Sequence, residues 1–255
     1  MEKVNQLEQA SKKPKLTPIS INLGESIKVW WKNLPKFISI FFWGLLFSIV
    51  PLFVVFLFFS LGYLFGAIGS IAFTVAGVII AISGFALTIY FAIRFYIVNF
   101  LLVKENFQGD ILGLFKKTKV LFWPYLWLSI LSAILIFLWC LLLIIPGIIF
   151  SIFYSLAVYA LLFEGEKGMN AIRRSKKLIK GYFWPVLGRL FVIGLLVWLF
   201  AMVISIPVLN TEKTSIFAII WNIIIQAVSF IIGPIVILFS YSIFKDLVKI
   251  KNNDC

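Results

Sequence analysis

The sequence comprises 255 residues, of which 62% are hydrophobic and only 13% are charged, with a formal net charge of +13. Soluble domains are about half apolar and about a quarter charged, so this composition excludes an ordinary water-soluble globular protein. The chain also contains no histidine, which excludes histidine-ligated metal sites, histidine general bases and Ser-His-Asp triads. We therefore expect no catalytic residue, no cofactor and no metal ion, and we predict that the protein is not an enzyme.

Long uncharged runs indicate the fold class. Four of them cover positions 37–93, 120–163, 190–211 and 214–244. A helix that crosses a bilayer needs about 20 apolar residues, so these runs predict two, two, one and one spans. Strands of a membrane barrel would alternate between apolar and polar residues, which these runs do not do. The sequence therefore predicts an all-α polytopic integral membrane protein with six transmembrane helices.

The cations lie on one side of the predicted membrane. They occur before the first span, between spans two and three, between spans four and five, and after span six, whereas the opposite connections carry only Lys213. By the positive-inside rule both termini are cytoplasmic, in a protein of the cell (inner, cytoplasmic) membrane. The basic pI is explained by topology and by anionic headgroups, so we expect anionic phospholipids as partners and no nucleic acid.

Taken in order, the chain begins with a disordered cytoplasmic tail over residues 1–22, followed by a single membrane domain over 23–250 and a cytoplasmic tail over 251–255. A short interfacial helix with the apolar stripe Ile27, Trp30, Trp31 and Leu34 is expected to lead into span one. Asp110 is expected to cap the helix that follows span two. The Pro146-Gly147 pair predicts the turn between spans three and four.

A local repeat divides the membrane domain into three parallel units, about 23–109, 110–168 and 169–250. KVLFWPYL (119–126) and KGYFWPVL (180–187) share Lys, Phe, Trp, Pro and Leu, and KNLPKF (32–37) is a looser copy. Proline is well tolerated in the first turn of a helix and tryptophan favours the headgroup level. Each unit is therefore expected to consist of a basic interfacial helix, a corner at the proline and a helical hairpin.

The strongest candidate site is a cluster of five cations between spans four and five. Its members are Arg173, Arg174, Lys176, Lys177 and Lys180. Apolar residues recur between them at helical spacing, which predicts an interfacial helix with its apolar side in the membrane and its cations toward lipid headgroups. The alternatives are a topology signal on a solvated face and a protein-binding surface.

Three ionisable residues fall within or beside predicted spans. Arg94 either contacts an anion inside the helix bundle or marks an early end of span two, where it would meet phosphates. Arg189 lies about one turn into span five, where it can snorkel or bind within the bundle. Glu164 ends span four and is expected either to pair with one of these arginines or to cap the next turn.

The segment EGEKGMNAIRRSKKLIKGYFW (164–184) resembles a bacterial membrane-protein pattern. It is similar to the membrane domain attached to some bacterial glycerophosphodiester phosphodiesterases, and to related stand-alone multi-pass proteins of unknown function. The matching positions are Glu164, Gly165, Ala171, Arg174, Ser175, Leu178, Lys180, Gly181, Phe183 and Trp184. The hydrolase activity of those fusions belongs to a separate histidine-containing barrel, so the resemblance implies a membrane domain without catalysis.

The sequence thus predicts a non-catalytic membrane protein that binds or organises anionic lipids at the cytoplasmic leaflet, or scaffolds an envelope process. A small-solute transporter or channel is the alternative, for which a polar path or an Arg94-dependent flux would be the sign. A lipid-modifying enzyme is a third class, against which the missing histidines and the scarcity of acidic residues at membrane level argue.

Overall fold

The computed structural model describes residues 16–64, 70–208 and 215–253, and every regular element in these ranges is helical. In chain order the α-helices are α1 (Ile19–Lys32), α2 (Leu34–Leu64), α3 (Ile71–Lys104), α4 (Ile111–Leu142), α5 (Ile144–Tyr154), α6 (Ala157–Tyr159), α7 (Met169–Ile179), α8 (Phe183–Ser205) and α9 (Ile216–Asn253). The one-turn helix α6 continues as a π-helical turn over Ala160–Glu164, and a 3-10 turn, Ile206–Val208, follows α8.

Within the described residues, six helical segments are long and apolar enough to cross a membrane, which confirms the predicted all-α class. They are Leu34–Tyr63, Ile71–Lys104, Ile111–Leu142, Ile145–Glu164, Phe183–Val208 and Ile216–Asn252. Many of their large apolar side chains are exposed, as expected for helices whose outer surface faces lipid.

The described residues form two compact units. Unit 1 is made of residues 16–31, Leu128–Ile206 and 235–253, and unit 2 of residues 32–64, 70–127, 207–208 and 215–234. These units differ from the three predicted along the sequence, because α4 and α9 each contribute one part to unit 1 and another to unit 2. The threefold sequence repeat itself stays a prediction.

The two Phe-Trp-Pro segments fold differently. At 180–187 the helix α7 ends, Gly181 adopts a left-handed backbone (φ +94°), and α8 begins at Phe183 with Pro185 in its first turn, as predicted. At 119–126 the helix α4 continues through Pro124, so the predicted corner there is wrong. Val120 of the 119–126 segment occupies the position that Gly181 has in the 180–187 segment, and a β-branched residue disfavours the left-handed conformation that ends a helix.

The turn between α4 and α5 lies at Leu143, so its predicted position at Pro146-Gly147 is wrong. Leu143 alone connects the two helices in an extended conformation (φ −162°, ψ 138°), and Pro146 lies in the first turn of α5, where its missing N–H has no cost. A Cβ atom on Gly147 would overlap the Cys140 sulfur and lie 3.0 Å from the Cys140 Cα. The Pro146-Gly147 pair therefore starts a helix and permits its close approach to α4.

Parts of both predicted tails are helical in the structure. Leu16 is buried and α1 begins at Ile19, so the disordered tail predicted for 1–22 is wrong from residue 16 onward, and its residues 1–15 lie outside the described part. The helix α9 continues to Asn253 and its Ile250 is buried, so residues 251–253 extend a helix of unit 1; residues 254–255 lie outside the described part.

The helix α1 buries polar residues and exposes apolar ones, the reverse of a helix on a soluble protein. Its buried residues are Asn22 and Ser26, and the Ser26 hydroxyl donates to the Asn22 carbonyl at 2.7 Å. Its exposed side carries Ile21, Ile27 and Trp31, the last with 69% of its surface exposed. An apolar face that points away from the protein, one residue before a membrane span, is consistent with the predicted interfacial helix.

Candidate functional site

The candidate cation cluster lies on α7, which is delimited by glycines. The π-helical turn after α6 ends at Gly165 in a left-handed conformation (φ +82°), and its N–H donates to the Ala160 carbonyl. Such a conformation is accessible to glycine at little cost. The chain then enters α7 at Met169 and leaves it at Ile179, two residues before Gly181. The glycines of the E-G-x-x-G…K-G pattern therefore fix where the basic helix begins and ends.

The apolar face of α7 is buried inside unit 1. Ala171, Ser175, Leu178 and Ile179 have no exposed surface, and Ile172 is 3% exposed. The Ser175 hydroxyl donates to the Phe153 carbonyl of α5 at 2.7 Å. The prediction that this face lies in the membrane is therefore wrong: it is buried inside unit 1, where α7 packs against α5, α6 and the π-helical turn.

Glu164 and Arg174 form a two-pronged ion pair. The Arg174 Nε and Nη2 atoms donate to the two carboxylate oxygens of Glu164, both at 2.7 Å. This hydrogen bonding and the negative charge of Glu164 raise the pKa of Arg174, so its guanidinium stays charged. The expected pairing of Glu164 with Arg94 or Arg189 is wrong, and Arg174 serves to fasten α7 to the end of the preceding span.

Four cations of the cluster remain directed outward. Arg173, Lys176, Lys177 and Lys180 are exposed, and the Lys176 ammonium lies 5.2 Å from the centre of the Phe150 ring. Four residues after Lys180 lies Trp184, the second residue of the next membrane segment, with 76% of its surface exposed. We call Arg173, Lys176, Lys177 and Lys180 the basic face of α7. It is presented by a helix that is held in place from its other side.

The positions that carry the family resemblance can now be assigned roles. Glu164 and Arg174 pair, Gly165 and Gly181 adopt left-handed backbones, and Ala171, Ser175 and Leu178 are fully buried. These are structural roles. Lys180 and Trp184 have exposed side chains to which no such role is assigned, so the pattern mainly encodes how the basic helix is attached to the two spans beside it.

Arg189 is buried in unit 1, with 7% of its surface exposed. Its Nη2 donates to the Thr17 carbonyl at 2.7 Å and its Nη1 to the Pro185 carbonyl at 3.0 Å, while its Nε has no hydrogen-bond partner among the described residues. The Thr17 N–H in turn donates to Asp246 at 3.1 Å. The Arg189 guanidinium is therefore bound within unit 1, and the snorkelling alternative stays a prediction. Sequence reasoning missed Thr17 and Asp246, because their contacts join residues 172 and 229 positions apart.

Arg94 is buried in unit 2, with 8% of its surface exposed. Its Nε donates to the Thr118 hydroxyl at 2.8 Å, its Nη1 to the Tyr90 hydroxyl at 3.0 Å and its Nη2 to the Phe115 carbonyl at 2.5 Å. The guanidinium carbon lies 3.8 Å from the centre of the Phe115 ring. The helix α3 continues ten residues beyond Arg94 to Lys104, and both alternatives for Arg94, an anion contact inside the bundle and an early end of span two, stay predictions.

The polar groups of α9 that could line a path lie in an apolar groove of unit 2. Asn222 and Gln226 line this groove of about 560 Å³ together with residues such as Phe41 and Phe230, and the Asn222 amide donates to the Ala218 carbonyl at 2.8 Å. Six of the eight lining side chains are apolar. Transport therefore stays a prediction.

Within residues 16–64, 70–208 and 215–253, no three His, Cys, Asp or Glu side chains are grouped so that they could hold a metal ion. The candidate sites therefore consist of the basic face of α7 and of the buried arginines Arg94 and Arg189. Comparison with known proteins finds no matching family model, no similar curated protein and no similar solved structure. The resemblance to the phosphodiesterase-associated membrane domains therefore rests on the motif in the sequence.

Proposed function

We propose that the protein binds anionic phospholipid headgroups through the basic face of α7, and that it organises such lipids without catalysis. The observation that carries this proposal is that α7 buries the face formed by Ala171, Ile172, Ser175, Leu178 and Ile179 in unit 1, whereas the four residues of its basic face stay exposed. On the positive-inside rule this face lies at the cytoplasmic leaflet of the cell membrane.

Fixing the helix matters for selectivity. A helix that floats in the interface adjusts to any lipid, whereas α7 is fastened by the Glu164–Arg174 pair and by the Ser175–Phe153 hydrogen bond. Its cations are therefore held in one arrangement before a lipid arrives, which lowers the entropic cost of binding several phosphates at once. Exposed Trp184 supports an interfacial position for this surface, because tryptophan concentrates at headgroup level.

The electrostatic contribution is large enough to measure. Each Lys or Arg near an anionic surface contributes about 1 kcal/mol, so four of them contribute at most about 4 kcal/mol. Replacing Arg173, Lys176, Lys177 and Lys180 together by glutamine should reduce retained phosphatidylglycerol about tenfold or more in native mass spectrometry. Arg174 stays unchanged in this variant, because its removal would unfasten the helix.

A matched control removes the same charge elsewhere. Lys28 and Lys32 on α1 and Lys116 and Lys119 on α4 are also exposed. Their joint replacement by glutamine gives the same net charge as the α7 variant and should leave most of the phosphatidylglycerol bound. Equal losses in the two variants would mean that binding follows total charge, and the proposal for α7 would then fail.

A further inference from the structure

We propose that unit 2 holds a second site, which binds a single anionic amphiphile with its hydrocarbon chain between α2 and α3 and its charged group at Arg94. The ligand class is a long-chain carboxylate or phosphate ester. This site uses none of the residues of the basic face of α7, and it does not depend on the function proposed above.

The chain-binding part is an apolar groove of about 520 Å³, which lies within the range of about 300–1,000 Å³ found for small-molecule sites. It is lined by α2 residues between Leu46 and Val55 and by α3 residues between Ile80 and Phe91, and Ser83 is the one polar side chain among them. Such a lining suits a hydrocarbon chain.

Arg94 lies on the same face of α3 as the groove. Ile80 and Leu87 line it, and Arg94 follows Leu87 by the same seven-residue interval, which corresponds to about two helical turns. Arg94 also follows the last groove residue of α3, Phe91, by three positions, or about 4.5 Å along the helix axis. The cation therefore lies just beyond one end of the groove.

An aromatic cluster connects that end of the groove to the guanidinium. Phe47 and Phe91 line the groove, and both rings stack on Phe115, with ring centres 5.7 Å and 6.3 Å apart. The guanidinium of Arg94 rests on the same Phe115 ring. The end of a chain that fills the groove would thus lie beside the aromatic rings against which the charged guanidinium of Arg94 packs.

Among the described residues, Arg94 forms no ion pair with a carboxylate. Its three hydrogen bonds go to neutral oxygens and use three of its five N–H groups. Neutral acceptors satisfy hydrogen bonds, but a buried charge stays costly without an opposite charge nearby. A carboxylate or phosphate supplies what these neutral partners lack.

The test compares amphiphiles that share one oleoyl chain. The full-length protein is titrated with oleate, oleoyl lysophosphatidylglycerol and neutral monooleoylglycerol, and bound ligand is counted by native mass spectrometry. Ser83→Trp fills the groove and leaves the contacts of Arg94 in place. Ile82→Trp is its control, because Ile82 is 65% exposed and does not line the groove. Arg94→Gln removes the charge, and Arg94→Lys keeps it.

We expect at least one anionic ligand to bind about tenfold more tightly than monooleoylglycerol. Ser83→Trp should abolish this binding, Ile82→Trp should retain it, and Arg94→Gln should remove the preference that Arg94→Lys keeps in part. Binding of oleate alone would assign a carboxylate, and binding of the lysophospholipid alone a phosphate ester. Equal affinity for the neutral ligand, or unchanged binding by Ser83→Trp, would overturn the site, even if Arg94→Gln failed to fold.

Discussion

At the scale of single residues, Gly181 decides where the basic helix stops. Its φ of +94° is a backbone conformation that costs other residues about 1–2 kcal/mol. In the 119–126 segment the matching residue is Val120, and α4 continues through it without a break. The difference between glycine and valine at this position thus accompanies the difference between a helix that ends, α7, and a helix that continues, α4.

Gly181→Ala should therefore lower the free energy of unfolding by about 1 kcal/mol or more. Gly188→Ala is the matched control, because Gly188 is helical and a Cβ atom there meets nothing within 4 Å. It should be neutral or stabilising, since alanine favours a helix over glycine by about 1 kcal/mol. Unfolding in mixed micelles measures both, and equal effects of the two variants would contradict the role of Gly181.

The Glu164–Arg174 pair should contribute measurably, because both of its hydrogen bonds are 2.7 Å long and about three quarters of each side chain is covered. Arg174→Gln should cost about 1 kcal/mol in the free energy of unfolding. A double-mutant cycle with Glu164→Gln isolates the coupling between the two side chains. A coupling energy of zero would show that the pair does not fasten α7.

At the scale of elements, the apolar runs were enough to predict the six spans, because hydropathy and length are local properties of the sequence. The environment of α7 could not be predicted in the same way. An apolar stripe has the same spacing whether it meets lipid or protein, so the sequence suggested a membrane-facing side that the structure places in the core.

The partners of the arginines escaped prediction for a related reason. Glu164 and Arg174 are ten residues apart across a left-handed turn, a separation that no helical spacing rule connects. Arg94 was correctly singled out as a charge in a span, but Thr118 on the next helix gave no sequence signal of its own.

The close contact of α4 and α5 makes Gly147 sensitive to substitution. Gly147→Ala should destabilise the protein by about 1–3 kcal/mol, because its Cβ would lie 3.0 Å from the Cys140 Cα, and backbone atoms cannot rotate away. Gly194→Ala, where a Cβ meets nothing within 4 Å, is the control. If Cys140→Ala fully rescues Gly147→Ala, the clash is with the sulfur alone and the tight backbone packing is not limiting.

The segment before α1 should be held by Asp246. The Thr17 N–H donates to its carboxylate, so the Thr17 amide should exchange hydrogen slowly. Asp246→Ala removes the acceptor and should speed this exchange, whereas Asp246→Asn keeps an acceptor oxygen and should change it less. Fast exchange in the unchanged protein would contradict the anchoring of this segment.

At the scale of the whole molecule, the chain combines six membrane-spanning helices with basic segments that connect them on one predicted side. Within unit 1, the basic helix α7 is part of the packed core through one face and open to its surroundings through the other. A charged surface that is fixed in this way beside the start of α8 is suited to collecting anionic headgroups.

The most direct test of this account is the lipid composition of nanodiscs assembled from equal amounts of phosphatidylglycerol and phosphatidylcholine around the full-length protein. We predict that phosphatidylglycerol is enriched around the unchanged protein and around the control variant, in which glutamine replaces Lys28, Lys32, Lys116 and Lys119. The enrichment should disappear when Arg173, Lys176, Lys177 and Lys180 are replaced by glutamine. Enrichment that persists in this last variant would contradict the assignment of lipid binding to α7.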